Sequence, residues 1–187
     1  MKYNLAFLSF LFLTLLFSCQ NDDLNCLNGG ELNGSNQCNC PLGFMGEDCS
    51  IEQTAKRFWV RKVSMEGFPA TDLNDQPWDD DGNADLRLRL NYSENINDGL
   101  FATEKIEDAN PNNPQVFDIN FSYQIELSDN VDTTFYFYIN DVDSNGTEQT
   151  IGTFEFKPAK KPYQSEILLQ STFGLDFPIS VELEYQF

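Results

Sequence analysis

The chain has 187 residues, no histidine, 11 Lys and Arg against 30 Asp and Glu, and a formal net charge of −19. That charge repels phosphate-rich partners, which argues against nucleic acid and against direct attraction to an anionic bilayer. The lack of histidine removes Ser-His-Asp and Cys-His nucleophile systems and His-ligated zinc or iron, leaving carboxylate-pair chemistry open.

Met1-Lys2 is a short basic start, and residues 5–17 are nearly all apolar. That run is too short to span a bilayer comfortably and reads as the apolar region of a secretory signal peptide. It ends Leu16-Phe17-Ser18-Cys19. A small residue before a cysteine, after an apolar run, resembles the lipobox of bacterial lipoproteins, although Phe17 is bulkier than the usual occupant. The resemblance implies a signal peptide over 1–18, cleavage before Cys19 and lipidation of that cysteine. An ordinary cleaved signal or an uncleaved anchor is the plainer alternative. The cysteines are Cys19, Cys26, Cys38, Cys40 and Cys49. An odd number in an exported chain leaves one thiol over, and a lipidated Cys19 leaves four that can pair. Gln20-Asn21-Asp22-Asp23 resembles the surface-export signal of Bacteroidota lipoproteins, with a solvated acidic linker over 19–25 as the alternative. Together these features imply an outer-membrane, lipid-anchored protein exposed at the cell surface.

Residues 26–50 form a compact cysteine block. Cys26-Leu27-Asn28-Gly29-Gly30 is followed by Cys38-Asn39-Cys40 and by Gly43-Phe44-Met45-Gly46-Glu47-Asp48-Cys49. Glycines at these points suit tight hairpins. Four cysteines allow three connectivities. The block resembles an EGF-like module with four cysteines in place of six, and Leu32 stands where a third would be. By that resemblance the pairs are Cys26 with Cys38 and Cys40 with Cys49. A unit this small cannot build a core, so its bridges must hold it, and a rigid spacer is its expected role.

Residues 55–187 read as one all-β domain. Strands are expected at 57–65, 86–90, 99–103, 117–127, 133–140, 150–157, 165–170 and 179–186, eight in all, from period-two alternation between turn residues. In the fourth, Phe117, Ile119, Phe121, Tyr123, Ile125 and Leu127 alternate with polar residues, so one face is dry and the other wet. Eight short strands with Asn, Asp, Gly and Pro turns predict an antiparallel sandwich.

The turns carry more than the strands. Asp79-Asp80-Asp81-Gly82-Asn83-Ala84-Asp85 leads into Leu86-Arg87-Leu88-Arg89-Leu90, and Asp141-Val142-Asp143 follows the strand ending Tyr138-Ile139. Carboxylates gathered at strand ends repel unless a hard cation neutralises them, and oxygen-only sites suit Ca2+. The two acidic turns, with Asn113-Pro114-Gln115-Val116-Phe117-Asp118-Ile119-Asn120-Phe121 between them, resemble the calcium loops and the intervening segment of C2 domains. The resemblance implies an eight-stranded C2-like β-sandwich binding one or two Ca2+ through Asp79, Asp85, Asp141 and Asp143. Gln149 stands where the family places a fifth acidic ligand, with Glu148 beside it, which implies weaker binding. Solvated turn aspartates are the alternative. One strand before the first acidic turn and three after the second suit the circular variant of the fold called type II, which requires that no further strand precede residue 57.

The turn Ser144-Asn145-Gly146-Thr147 is polar and has nothing to insert into a membrane. Trp78 is the candidate ligand contact, either as an exposed anchor or packed beneath the 66–78 connection. Lys157, Lys160 and Lys161 read as a solvated connection. Three functional classes follow. The first is a non-enzymatic surface lipoprotein whose calcium-stabilised sandwich acts as a binding or adhesion and scaffold module toward a protein or glycan. The second is a carbohydrate binder with structural calcium and stacking by Trp59, Trp78 or Tyr92. Calcium-dependent phospholipid binding is a further alternative, and an enzyme using paired carboxylates is the weakest class.

Overall fold

A computed structural model describes residues 25–79, 82–95, 97–119, 124–127 and 133–187. The expected signal peptide, lipidated Cys19 and nearly all of the acidic tether lie outside the described residues, as do Asp80 and Asp81.

Two minimal hairpins make the N-terminal module. β1 (Glu31–Leu32) pairs with β2 (Cys38–Asn39), and β3 (Phe44–Met45) with β4 (Ile51–Glu52). Its disulfides are Cys26–Cys38 and Cys40–Cys49, the pairing the EGF-like resemblance implies. Between residues 25 and 52 only Gly43 and Cys49 are buried, so the module has no core and its bridges stand in for one. Gly30 is required by space: a Cβ there would lie 2.6 Å from Cys49 Sγ.

The sandwich comprises β5 (Arg57–Met65), β6 (Leu86–Asn91), β7 (Gly99–Ala102), β8 (Gln115–Asp118), β9 (Ile125–Glu126), β10 (Phe135–Val142), β11 (Glu148–Phe156), β12 (Glu166–Gln170), β13 (Phe173–Gly174) and β14 (Pro178–Gln186). One sheet has the order β13-β11-β10-β6-β7, and the other β12-β14-β5-β8 with β9 also on β5. Every pairing is antiparallel. The eight expected strands are present, with two differences. The strand expected at 117–127 is two pieces, β8 and β9, both paired with β5, while residues 120–123 lie outside the described set. β13 is an added two-residue strand whose weak sequence signal comes from its shortness. β5, the first strand of the sandwich, lies between β14 and β8, and β4 pairs only with β3. Among the described residues no strand before residue 57 enters either sheet, as the circular variant requires.

Alternation places the core. β5 buries Phe58 and Val60, then Val63 and Met65, so the inward phase slips by one at Arg61. The slip falls where the β5–β14 register shifts between Glu182 and Leu183, leaving Arg61 as an extra residue that a β-bulge absorbs. Within one sheet, Phe137 of β10 stacks on Phe156 of β11 with centroids 4.9 Å apart, and across to the other sheet Phe135 meets Phe58 edge-on at 5.2 Å. Such pairs add to the stabilisation that burial alone supplies.

Candidate metal centre

β6 and β10 are antiparallel neighbours with Leu86 opposite Asp141, so the start of β6 and the end of β10 share one end of the sandwich. Asp141 lies at that end and is 1% exposed, and Asp143 follows one residue beyond the strand. The turn after it closes through Asp143 N–H to Thr147 O at 2.9 Å and Gly146 N–H to Asp143 O at 2.9 Å. The connection before β6 brings Asp79 to the same place. One carboxylate oxygen from each of Asp79, Asp141 and Asp143 lies within 4.8 Å of the other two. Two oxygens bound to one Ca2+ at about 2.4 Å can be separated by at most about 4.8 Å, so these three can share a single ion. All three donors are hard oxygens, which suits Ca2+ and not a soft metal. Burial pushes the Asp141 carboxyl above the usual carboxylate range, and the negative charges of Asp79 and Asp143 push it further. Ionising all three together therefore costs free energy that a cation would offset.

Asp85 is placed differently. Its Oδ2 accepts from Lys105 Nζ at 2.5 Å and its Oδ1 from the Asp108 N–H at 2.8 Å. Burial alone would raise its pKa, but the Lys105 ammonium and the Asp108 N–H outweigh that and hold it below the usual range. Asp85 thus stands outside the three-carboxylate cluster because a lysine 20 residues away already neutralises it. It still touches the centre through its backbone: the Asp85 N–H donates to Asp141 Oδ1 at 2.8 Å. Gln149 lies opposite Asp141 across β10 and β11, but it is exposed and its side chain lies near Asp72. Asp72 caps its own turn, accepting from Asn74 N–H at 2.8 Å and Gln76 N–H at 2.9 Å. Gln149 therefore sits beside the 71–77 turn.

Of the two placements open to Trp78, the structure has the packed one. It is 9% exposed and its Nε1–H donates to Pro69 O at 2.8 Å, so it packs beneath the 66–78 connection and its one polar group is satisfied inward. Beside the centre lies a second charged group that the strand pattern hides. Glu148 takes Arg89 Nε at 2.6 Å and Nη2 at 2.5 Å, Arg87 Nη1 at 2.9 Å and Asn140 Nδ2 at 2.8 Å. The Arg89 guanidinium, opposed by burial and helped by Asn140 and Arg87, pulls the Glu148 carboxyl down to about 2. Its sequence signal is Arg87 and Arg89 two apart on one strand face, since like charges so placed need a counterion. Lys105 carries no such signal.

No protein-family model matches the chain. The structure is similar to a C2 domain of plant Extended Synaptotagmin 1, with a TM-score of 0.50 and 18% identity over 72% of this chain and 97% of that one. A C2 domain protein from Ramazzottius varieornatus superposes with a TM-score of 0.43 and 8% identity over 70% of this chain and 89% of that one. Over 59 residues, 30% of this chain, the sequence is 37% identical to Coagulation factor XII of Cavia porcellus, and the match spans 10% of that protein's length. The likeness to the plant domain is one of fold: an antiparallel C2-like sandwich, preceded here by a disulfide-held module that fits the EGF-like pattern.

Proposed function

We propose that the chain is a non-enzymatic binding or scaffold module, anchored at the outer face of a bacterial outer membrane through lipidated Cys19, whose sandwich is stabilised by one Ca2+. The convergence of Asp79, Asp141 and Asp143 within 4.8 Å carries the calcium reading. The Asp85–Lys105 pair supports one ion over two, because the fourth carboxylate already has its cation. Bound calcium would favour the ionised form of Asp141 and hold the β10 end, the 143–147 turn and the Asp79 connection together. A single site at a hundred times its dissociation constant stabilises by about 2.7 kcal/mol. Extracellular calcium modules work at dissociation constants of about 10⁻⁴–10⁻³ M, so a weak site suffices outside a cell.

Thermal unfolding in millimolar calcium against EGTA tests the ion. The melting temperature is expected to rise with calcium and to stop responding in Asp143→Asn. An unresponsive wild type sinks the site. The anchor is tested separately by Cys19→Ala, which is expected to move the protein from the membrane fraction to the soluble one.

One observation favours phospholipid as a second reading. Leu73, in the 71–77 turn beside Gln149, is 70% exposed. Co-sedimentation with anionic liposomes in calcium and in EGTA tests it, and the absence of calcium-dependent pelleting removes it. The sugar reading loses Trp78 as a stacking surface, and a glycan array without binding in calcium ends it.

A further inference from the structure

Lys105 reaches the rim of the metal centre from a segment that the fold pins to β6. Residues 103–109 run beside that strand and are stitched to it by backbone bonds. Thr103 N–H donates to Leu88 O at 2.9 Å, Ile106 N–H to Leu86 O at 2.8 Å, Leu86 N–H back to Ile106 O at 2.9 Å, and Ala109 N–H to Ala84 O at 2.8 Å. Leu86 thus has Asp141 of β10 on one side and Ile106 on the other. The start of β6 stands between the strand that carries Asp141 and the segment that carries Lys105.

Asp85 lies between the two. Its backbone N–H turns to the cluster and donates to Asp141 Oδ1 at 2.8 Å. Its carboxylate turns the other way, to Lys105 Nζ at 2.5 Å and the Asp108 N–H at 2.8 Å. Reach therefore does not keep Asp85 out of the cluster; its partners do. The Lys105 ammonium also lies 3.6 Å from Glu107 Oε1. Its bond with Asp85 holds its pKa above the ordinary lysine value, so it stays charged. The side chains of Lys105 and Asp85 are 31% and 20% exposed, which leaves the pair partly shielded from salt. A cation of the protein's own thus sits against a carboxylate at the edge of the centre.

We infer that Lys105 sets the calcium affinity of the centre: by neutralising Asp85 it withholds a fourth carboxylate and keeps the site weak. The inference rests on the calcium reading above and adds to it the residue that limits binding. Lys105 is a positioning residue, acting through Asp85 and not on the ion. A neutral Asp85–Lys105 pair offers a divalent cation little attraction. Asp85 without the lysine would place one more negative charge within about 10 Å of an ion bound to Asp141, given the bond lengths that join them. At that range charges of +2 and −1 attract enough in water to tighten binding about fourfold, and more where the dielectric is lower.

Titration calorimetry of the exported chain with calcium chloride at low ionic strength tests it. Lys105→Gln and Lys105→Met should each bind calcium at least about fourfold tighter than the wild type, and Lys105→Arg, which keeps the charge, should not. The double variant Lys105→Gln, Asp85→Asn should return to wild-type affinity, because the extra negative charge is gone. Melting separates this role from a merely structural one. In EGTA, Lys105→Gln should melt below the wild type, since Asp85 has lost its counter-charge. In millimolar calcium its upward shift should exceed that of the wild type, whereas loss of a structural lysine would lower both curves alike. Calcium binding by the wild type that is equal or weaker in both Lys105→Gln and Lys105→Met overturns the role of Lys105 and leaves the centre standing. A gain that survives in the double variant overturns the route through Asp85. Absence of calcium binding in the wild type and in both single variants removes the centre, and this inference with it.

Discussion

Glu148 is a single side chain on which two cations of the sheet depend. Its side chain is 14% exposed and it serves two guanidinium groups at once. Glu148→Gln leaves Arg87 and Arg89 without a counter-charge in a partly dry setting, at a cost of about 3 kcal/mol in urea unfolding at neutral pH. Its carboxyl sits near 2 in the folded protein against 4.5 for the free group. A depressed acid stabilises above its unfolded pKa and loses that contribution as pH falls through the folded value. Stability should therefore decline between about pH 4.5 and pH 2, by roughly 3 kcal/mol from this group, and the same titration of Glu148→Gln should lack that step. Asp141 has the opposite sign. Burial and its acidic neighbours penalise its charge, so Asp141→Asn is expected to melt above the wild type in EGTA and to gain nothing from calcium. A lower melting temperature in EGTA would show that the charge on Oδ1, which strengthens the bond from the Asp85 N–H, outweighs the repulsion.

At the scale of elements, most of the architecture was legible in alternation. β6 needs no more than Leu86, Leu88 and Leu90 against Arg87 and Arg89 to show which face is dry. β5 was legible in extent but not in phase, because the bulge at Arg61 is set by its pairing with β14, at the far end of the chain. Of the centre, the Asp141-x-Asp143 spacing and Asp79 before β6 were readable. Asp85 was not, since its carboxylate is claimed by Lys105, a partner that no local pattern announces. The connection between β11 and β12 offers a test of element docking. Tyr163 is 4% exposed and its hydroxyl accepts the Ala55 N–H at 3.0 Å. Tyr163→Phe strands that buried N–H and should cost about 1–3 kcal/mol in chemical unfolding, with no loss of either disulfide.

For the whole molecule, the cysteine module and the sandwich meet at that same tyrosine. Gly43, at φ +90°, lies against the Tyr163 ring so closely that a Cβ there would sit 2.6 Å from Cδ2. Lys161 reaches back to Glu52 across the same junction. The module therefore leans on the sandwich and is not merely strung before it. Each bridge closes a short loop and is worth about 2–4 kcal/mol to a unit with no core. Reduction should accordingly collapse the amide dispersion of residues 25–52 while the sandwich keeps its cooperative melting transition. Loss of that transition on reduction would show that the sandwich depends on the module. The sequence by itself determined the strands, the bridging cysteines, the acidic turns and the strong negative charge, because these depend on residue type at short spacing. The tertiary structure alone decided which carboxylates converge, which cation reaches Asp85, and that Trp78 faces inward. Those outcomes depend on which distant segments the sheets bring within a few ångströms, and charge and burial act at that range whatever the separation along the chain.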